Sequence, residues 1–157
     1  MRHLLLGGFC GLLLALTGCG DSTGSNNEDA GTALPDCADN PVDVTTAQLF
    51  TDVVQPRCAG CHKAGQAGAT SGKIELDDVT KLAATVGKAS QYAGSGALKI
   101  VTPSNPGRSS MMLKVLGGSP TYTGPESQNI GGKMPTTGLL PAAEQEKFRQ
   151  WICGGAN

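Results

Sequence analysis

The hydrophobic positions of this chain form one dense run at the start and several sparse stripes after it. Leu4 to Leu16 is apolar apart from small residues and follows Arg2 and His3. That run is too short to cross a bilayer, which takes about 20 apolar residues in a helix, and its charge and length suit an export signal. Residues 20 to 41 then hold almost nothing apolar. Gly, Ser, Thr, Asn and acid cannot bury enough surface to offset ordering, so this stretch is expected to be a flexible tether. Beyond residue 44 periodicity returns. Leu49, Phe50, Val53 and Val54 fall at i, i+1, i+4 and i+5, which predicts a helix over 45–55, capped by Thr45 or Thr46 and stopped by Pro56. Residues 63–72 read as a Gly-rich loop, and 73–76 as a short extended piece. Asp77 or Asp78 is placed to cap a helix over 79–86 with Leu82 and Val86 inward. Residues 87–108 read mostly as loop. Ser109 or Ser110 heads a helix carrying Met112, Leu113, Val115 and Leu116, closed by Gly117 and Gly118. Residues 119–139 form a long Gly/Pro loop, the kind that is usually functional in a compact domain. Pro141 suits the first position of a last helix, 141–152, with Phe148, Trp151 and Ile152 as its buried face. The expectation is an all-α, loop-rich domain.

Composition narrows this. The chain has 157 residues, with 23 Gly, 9 Pro and 4% aromatic residues, which allows one domain with a small core of its own. The net charge of −1 gives no nucleic-acid footprint. Charge is uneven, however: residues 21 to 43 carry six acids and no Lys or Arg, while 44 to 157 carry seven acids and eleven bases. The organisation expected is a signal over 1–18, an acidic tether over 19–43 and a folded domain over 44–157.

The six cysteines sort by position. Cys10 lies in the apolar run and leaves with it. Leu16-Thr17-Gly18-Cys19 resembles the bacterial lipoprotein signal, which implies that Cys19 becomes an acylated N-terminus; an ordinary signal peptide cut nearby is the alternative. Acyl chains on one Cys would anchor the protein at about 0.8 kcal/mol per buried methylene. Gly20 rather than Asp follows Cys19, which in Gram-negative lipoproteins disfavours retention in the inner membrane. Cys37 and Cys153 flank the folded part, and in an exported protein such a remainder suggests a disulfide, two buried thiols being the alternative.

Cys58 and Cys61 stand in Cys58-Ala59-Gly60-Cys61-His62. Cys-x-x-Cys-His is the attachment sequence of a c-type haem: two thiols bond to the porphyrin vinyl groups, and the His supplies the iron with an imidazole nitrogen. A thioredoxin-like pair would need a βαβ context, which the flanking pattern lacks. A zinc site would need two further Cys or His ligands at suitable spacing. On the opposite face of the iron, the only other His is His3, inside the signal. A thioether is the remaining strong ligand, and Met134, in a loop among Gly and Pro, is favoured over Met112 and Met111, which sit in a helical apolar stripe.

A short helix, the CAGCH stretch, a Gly-rich loop, two middle helices, a late Lys133-Met134-Pro135 loop and a terminal helix ending in Trp151-Ile152-Cys153-Gly154-Gly155-Ala156 together resemble the class I c-type cytochromes, over roughly residues 44 to 157. The resemblance implies a small helical domain wrapped around one covalent haem c. It implies that the first and last helices cross beside the haem, that His62 is the proximal ligand and that Met134 is the distal one. Many members of that family have a Pro in the loop after the His, where it helps orient the imidazole; residues 63–72 have none, so the hydrogen-bond acceptor for His62 stays unassigned. The function expected is single-electron transfer between redox partner proteins by a lipid-anchored carrier in the bacterial cell envelope, periplasmic or on the outer membrane. The alternatives are a haem enzyme or a gas or peroxide sensor with an open distal site, and a haem subunit of a larger oxidoreductase.

Overall fold

Thr45 starts the first helix through a reciprocal cap. Its hydroxyl accepts from the Gln48 backbone N–H (3.2 Å), and the Gln48 side chain accepts from the Thr45 N–H (2.9 Å). In this computed structural model, residues 36–38, 42–91, 98–118 and 130–157 are described. The signal (1–18), the lipidation candidate Cys19, most of the tether (19–43) and residues 119–129 of the long loop lie outside them. Among the described residues there are helices and isolated β-bridges but no strand, and no helix is long and apolar enough to cross a membrane.

The first helical stretch does not stop before Pro56, contrary to the sequence expectation. It runs as α1 (Thr46–Leu49), a π-helical segment (Phe50–Val54) and α2 (Gln55–Arg57). Pro56 has no N–H to give, and its ring would crowd the carbonyl four residues back. Widening to the π register one turn earlier, with the Gln55 N–H on the Phe50 carbonyl, lets the helix pass through. The extra turn delivers the chain directly to Cys58.

The middle of the chain uses shorter helices than its pattern predicts. α3 (Ala67–Thr70) replaces part of the expected Gly-rich loop. α4 (Val79–Ala83) is capped by Asp78, whose carboxylate accepts from Thr80 and Lys81. It ends earlier than 86 because the Thr85 hydroxyl takes the Leu82 carbonyl (2.7 Å) and Val86 turns away to bridge Val101. A 3₁₀ turn (Pro106–Arg108), capped by the Asn105 side chain, leads into α5 (Ser110–Val115). The Ser109 hydroxyl does not cap α5; it is drawn to Thr102 and Asn105 instead.

α6 (Ala142–Cys153) packs across the first helical stretch. Pro141 precedes it in extended backbone as its N-cap. Trp151 and Phe148 are buried against Leu49, Val53 and Val54, and the Trp151 indole N–H donates to the buried Thr46 hydroxyl (2.9 Å). Salt bridges Lys147–Asp52 (2.7 Å) and Arg57–Glu144 (2.8 Å) flank the crossing. The Thr46 N–H donates to the Asn157 carbonyl, so the two ends of the domain meet. Cys37 and Cys153 are joined by a disulfide with Cα atoms 5.5 Å apart. Met111, Met112, Leu82 and Leu140 complete the main core, and Leu98, Leu113 and Ile130 form a smaller cluster beside it.

Candidate haem-attachment site

Cys58, Cys61 and His62 lie on one turn that continues α2. The Cys58 N–H still bonds to the Val54 carbonyl (2.8 Å), and the Cys61 and His62 N–H groups both reach back to the Cys58 carbonyl (3.1 and 3.0 Å). The two thiols differ in setting. Cys58 packs against the main core, whereas Cys61 is exposed. Burial pushes the Cys58 thiol up to about 11, with the nearby Glu144 carboxylate and Cys61 adding to the effect.

The His62 ring is held at two places. Its Nδ1 lies 2.9 Å from the Ile74 carbonyl oxygen. An oxygen of that kind only accepts, so Nδ1 carries the proton and Nε2 keeps a free lone pair in the neutral ring. One face rests on Gly68: a Cβ there would sit 2.6 Å from His62 Cγ and Nδ1 and 2.7 Å from the Cys61 carbonyl oxygen. The seat is fixed by backbone bonds, with the Gly68 N–H on the Cys61 carbonyl (2.9 Å) and the Leu76 N–H on the His62 carbonyl (2.6 Å). Ile74 and Gly68 are the supporting residues that the sequence reading misses. A backbone carbonyl leaves no residue-type signal, and a Gly inside a Gly-rich run does not single itself out.

The segment around Met134 is tied to more distant parts of the chain. Met134 is half-buried, and its N–H donates to the Lys114 carbonyl at the end of α5 (2.9 Å). Just before it, Gly118 meets Gly132 so closely that a Cβ at 118 would fall 2.6 Å from the Gly132 carbonyl carbon. After it, Pro135 and residues 137–141 face Pro56 and Arg57 across a cleft of about 380 Å³. The structure thus brings the segments next to Cys58 and Met134 to one cleft, although none of Cys58, Cys61, His62 and Met134 is among its lining residues. Met111 and Met112 are placed elsewhere: both are buried in the main core, 8% and 2% exposed.

The donor set fits a covalent haem better than the other uses of paired thiols. A thiol raised to about 11 is the reverse of the depressed pKa that activates the leading Cys of a dithiol oxidoreductase. Cys37 and Cys153 are consumed by their disulfide, and among the described residues no three His, Cys, Asp or Glu side chains converge as a metal cage. What is present is two thiols on one turn and one imidazole with an oriented, free Nε2. No family model matches the chain, and none of the curated proteins or solved structures compared with it does either.

Proposed function

We propose that the chain is an exported, lipid-anchored monohaem c-type cytochrome that carries single electrons, with a small cytochrome c-like domain holding one haem c through Cys58 and Cys61. The observation that carries this reading is the His62 ring, with Nδ1 bonded to the Ile74 carbonyl beside two thiols on the same turn. A metal-ligating His characteristically gives its second ring N–H to such an acceptor, which fixes the tautomer and raises the basicity of the ligating nitrogen. When bound, the haem supplies reversible one-electron exchange at iron. The chain's own residues hold His62 in one orientation and pack Cys58 against the core, and residues just after Met134 face Pro56 and Arg57, just before Cys58, across a cleft. Met134 is the proposed distal ligand, with Met112 and Met111 the alternatives. Cys19 would anchor the protein to a membrane, and redox partner proteins would meet it there.

The test is the mass and colour of the matured protein. The expected result is one porphyrin's added mass on the polypeptide, surviving denaturation, with the visible bands of a low-spin haem. In Cys58→Ala/Cys61→Ala both the covalent mass and the bands should vanish. An uncoloured wild-type chain with free thiols would overturn the proposal. One observation favours a second reading: Met134 is half-exposed and belongs to neither apolar cluster. An iron left open on that side would suit an enzyme or a gas or peroxide sensor. A high-spin spectrum in the oxidised wild type, unchanged in Met134→Ala, would establish that reading instead.

A further inference from the structure

Ile74, whose carbonyl accepts from His62, also lines a second hollow, of about 340 Å³, which the proposed function does not use. Its apolar surface includes Ile74, Ile100 and Ala69, and its charged surface includes Lys73, Lys81 and Lys88. Among the described residues Glu75 is the one carboxylate in the lining, and it is engaged: Lys81 is paired with Glu75 (2.8 Å) and Asp77 (2.6 Å). The hollow therefore offers the two further ammonium groups, Lys73 and Lys88, over an apolar base. Lys73 also has φ +55°, a left-handed conformation that a long side chain rarely adopts. An observed backbone outlier of this kind is a pointer to a site.

We propose that this hollow binds a small organic carboxylate, and that its occupancy is transmitted to His62 through Ile74. The carboxylate would lie between Lys73 and Lys88, where charge-assisted hydrogen bonds are strongest, and its apolar body would cover Ile74 and Ile100. At about 30 Å³ per water in the liquid, the hollow has room on the order of ten waters, enough for a ring bearing one carboxylate. A strongly hydrated phosphate would match the lysines but waste the apolar base. Both supports of the imidazole adjoin the hollow. Ile74 is a wall of it and carries the carbonyl that accepts from His62, while Ala69 is the wall residue next to the Gly68 seat. A ligand that shifts residues 73–74 thus shifts the acceptor of the Nδ1 proton. The binding site stands without the haem; only its effect on an iron rests on the proposed function.

The experiment is a calorimetric titration of the matured, reduced protein with benzoate, repeated with inorganic phosphate, while the His62 ring resonances are followed by NMR. The expected result is saturable one-to-one benzoate binding that shifts the His62 signals along the same isotherm. Lys73→Gln/Lys88→Gln should weaken it at least tenfold, Lys73→Arg/Lys88→Arg should largely keep it, and Lys147→Gln on α6 should not change it. No saturation, equal binding of phosphate, or equal binding in the double Gln variant would overturn the site. Saturation with unmoved His62 signals would overturn the coupling. A colourless protein that still binds benzoate would refute the haem and leave the site standing, whereas a coloured protein that binds none would do the opposite.

Discussion

The two sides of the proposed haem site are built in different ways. From Cys58 to Leu76 the chain is bonded mostly to itself: the motif turn closes on Cys58, Gly68 is tied to Cys61, Leu76 to His62, and the His62 ring to Ile74. From Ile130 to Leu140 the described chain is tied instead to other segments, by the Gly118–Gly132 bridge, the Met134 N–H on the Lys114 carbonyl and the Gln145 side chain on the Leu140 carbonyl, with a cleft beside Pro135 and residues 137–141. The first side is specified by bonds within its own segment, the second by bonds to segments far along the chain. The difference predicts that His62 is fixed in place by its own segment, whereas Met134 takes its position from distant ones. Hydrogen exchange in the haem-free chain would read it directly: the Met134 amide should exchange faster than the Gly68 amide.

The largest expected effect is one that lowers both sides together. Opening the Cys37–Cys153 link, which closes a span of 116 residues, should cost about 4 to 5 kcal/mol in the chain-entropy model. Denaturant unfolding of Cys37→Ala/Cys153→Ala, followed by exchange at the Gly68 and Met134 amides, checks it. Loss of protection at only one of the two amides would mean that the disulfide stabilises a part rather than the whole.

Next comes the choice between methionines, which separates packing from ligation. Met112 is 2% exposed in the main core, so Met112→Ala should cost about 2 to 5 kcal/mol by leaving a cavity, with the visible spectrum unchanged. Half-buried Met134 should show the reverse: little loss of stability in Met134→Ala, but a lower reduction potential and a changed spin state. If the spectral change follows Met112 and not Met134, the distal side has been misassigned.

How much of this was readable beforehand varied with the kind of signal. Apolar stripes located the helices that bury a face, and so α6, with Phe148, Trp151 and Ile152, stood out. Counting left Cys37 and Cys153 together. Pro56 misled, because the rule that a proline ends a helix assumes four-residue spacing, and a π turn removes the clash. α3 had no stripe to show, being built from Ala67, Gly68, Ala69 and Thr70. The support of His62 was beyond sequence reading, since its acceptor is a main-chain oxygen twelve residues on.

A smaller effect belongs to the first side alone and depends on pH. The Cys58 thiol is raised from 9.0 to about 11, chiefly by burial, so folding favours its protonated form. In haem-free chain the resulting stability is present in full below pH 9 and is lost as the pH rises toward 11. At about 1.4 kcal/mol per unit this amounts to roughly 2 to 3 kcal/mol. Urea midpoints measured across that range should fall in the wild type and stay level, for this term, in Cys58→Ala. The matured protein should lack the slope as well, because a thioether does not titrate.

The smallest effect tests the contrast one methyl group at a time. At Gly68 a Cβ would meet the His62 ring and the Cys61 carbonyl, and the carbonyl belongs to the tied backbone, so the ring or the α3 turn has to move. Overpacking of this kind costs about 1 to 3 kcal/mol. At Gly138, on the other side, a Cβ would meet nothing within 4 Å, and Gly138→Ala should stay within about 0.5 kcal/mol of wild type. Stability alone would not tell an orienting seat from ordinary packing. The reduction potential and the His62 ring resonances do, because moving the ring off the Ile74 carbonyl weakens the Nδ1 hydrogen bond and makes Nε2 a poorer donor. Gly68→Ala should therefore change both, with the potential rising, while Gly138→Ala changes neither. Equal behaviour of the two alanines would mean that the tight side and the open side hold the haem alike, and that the local bonds around His62 serve the fold and not the iron.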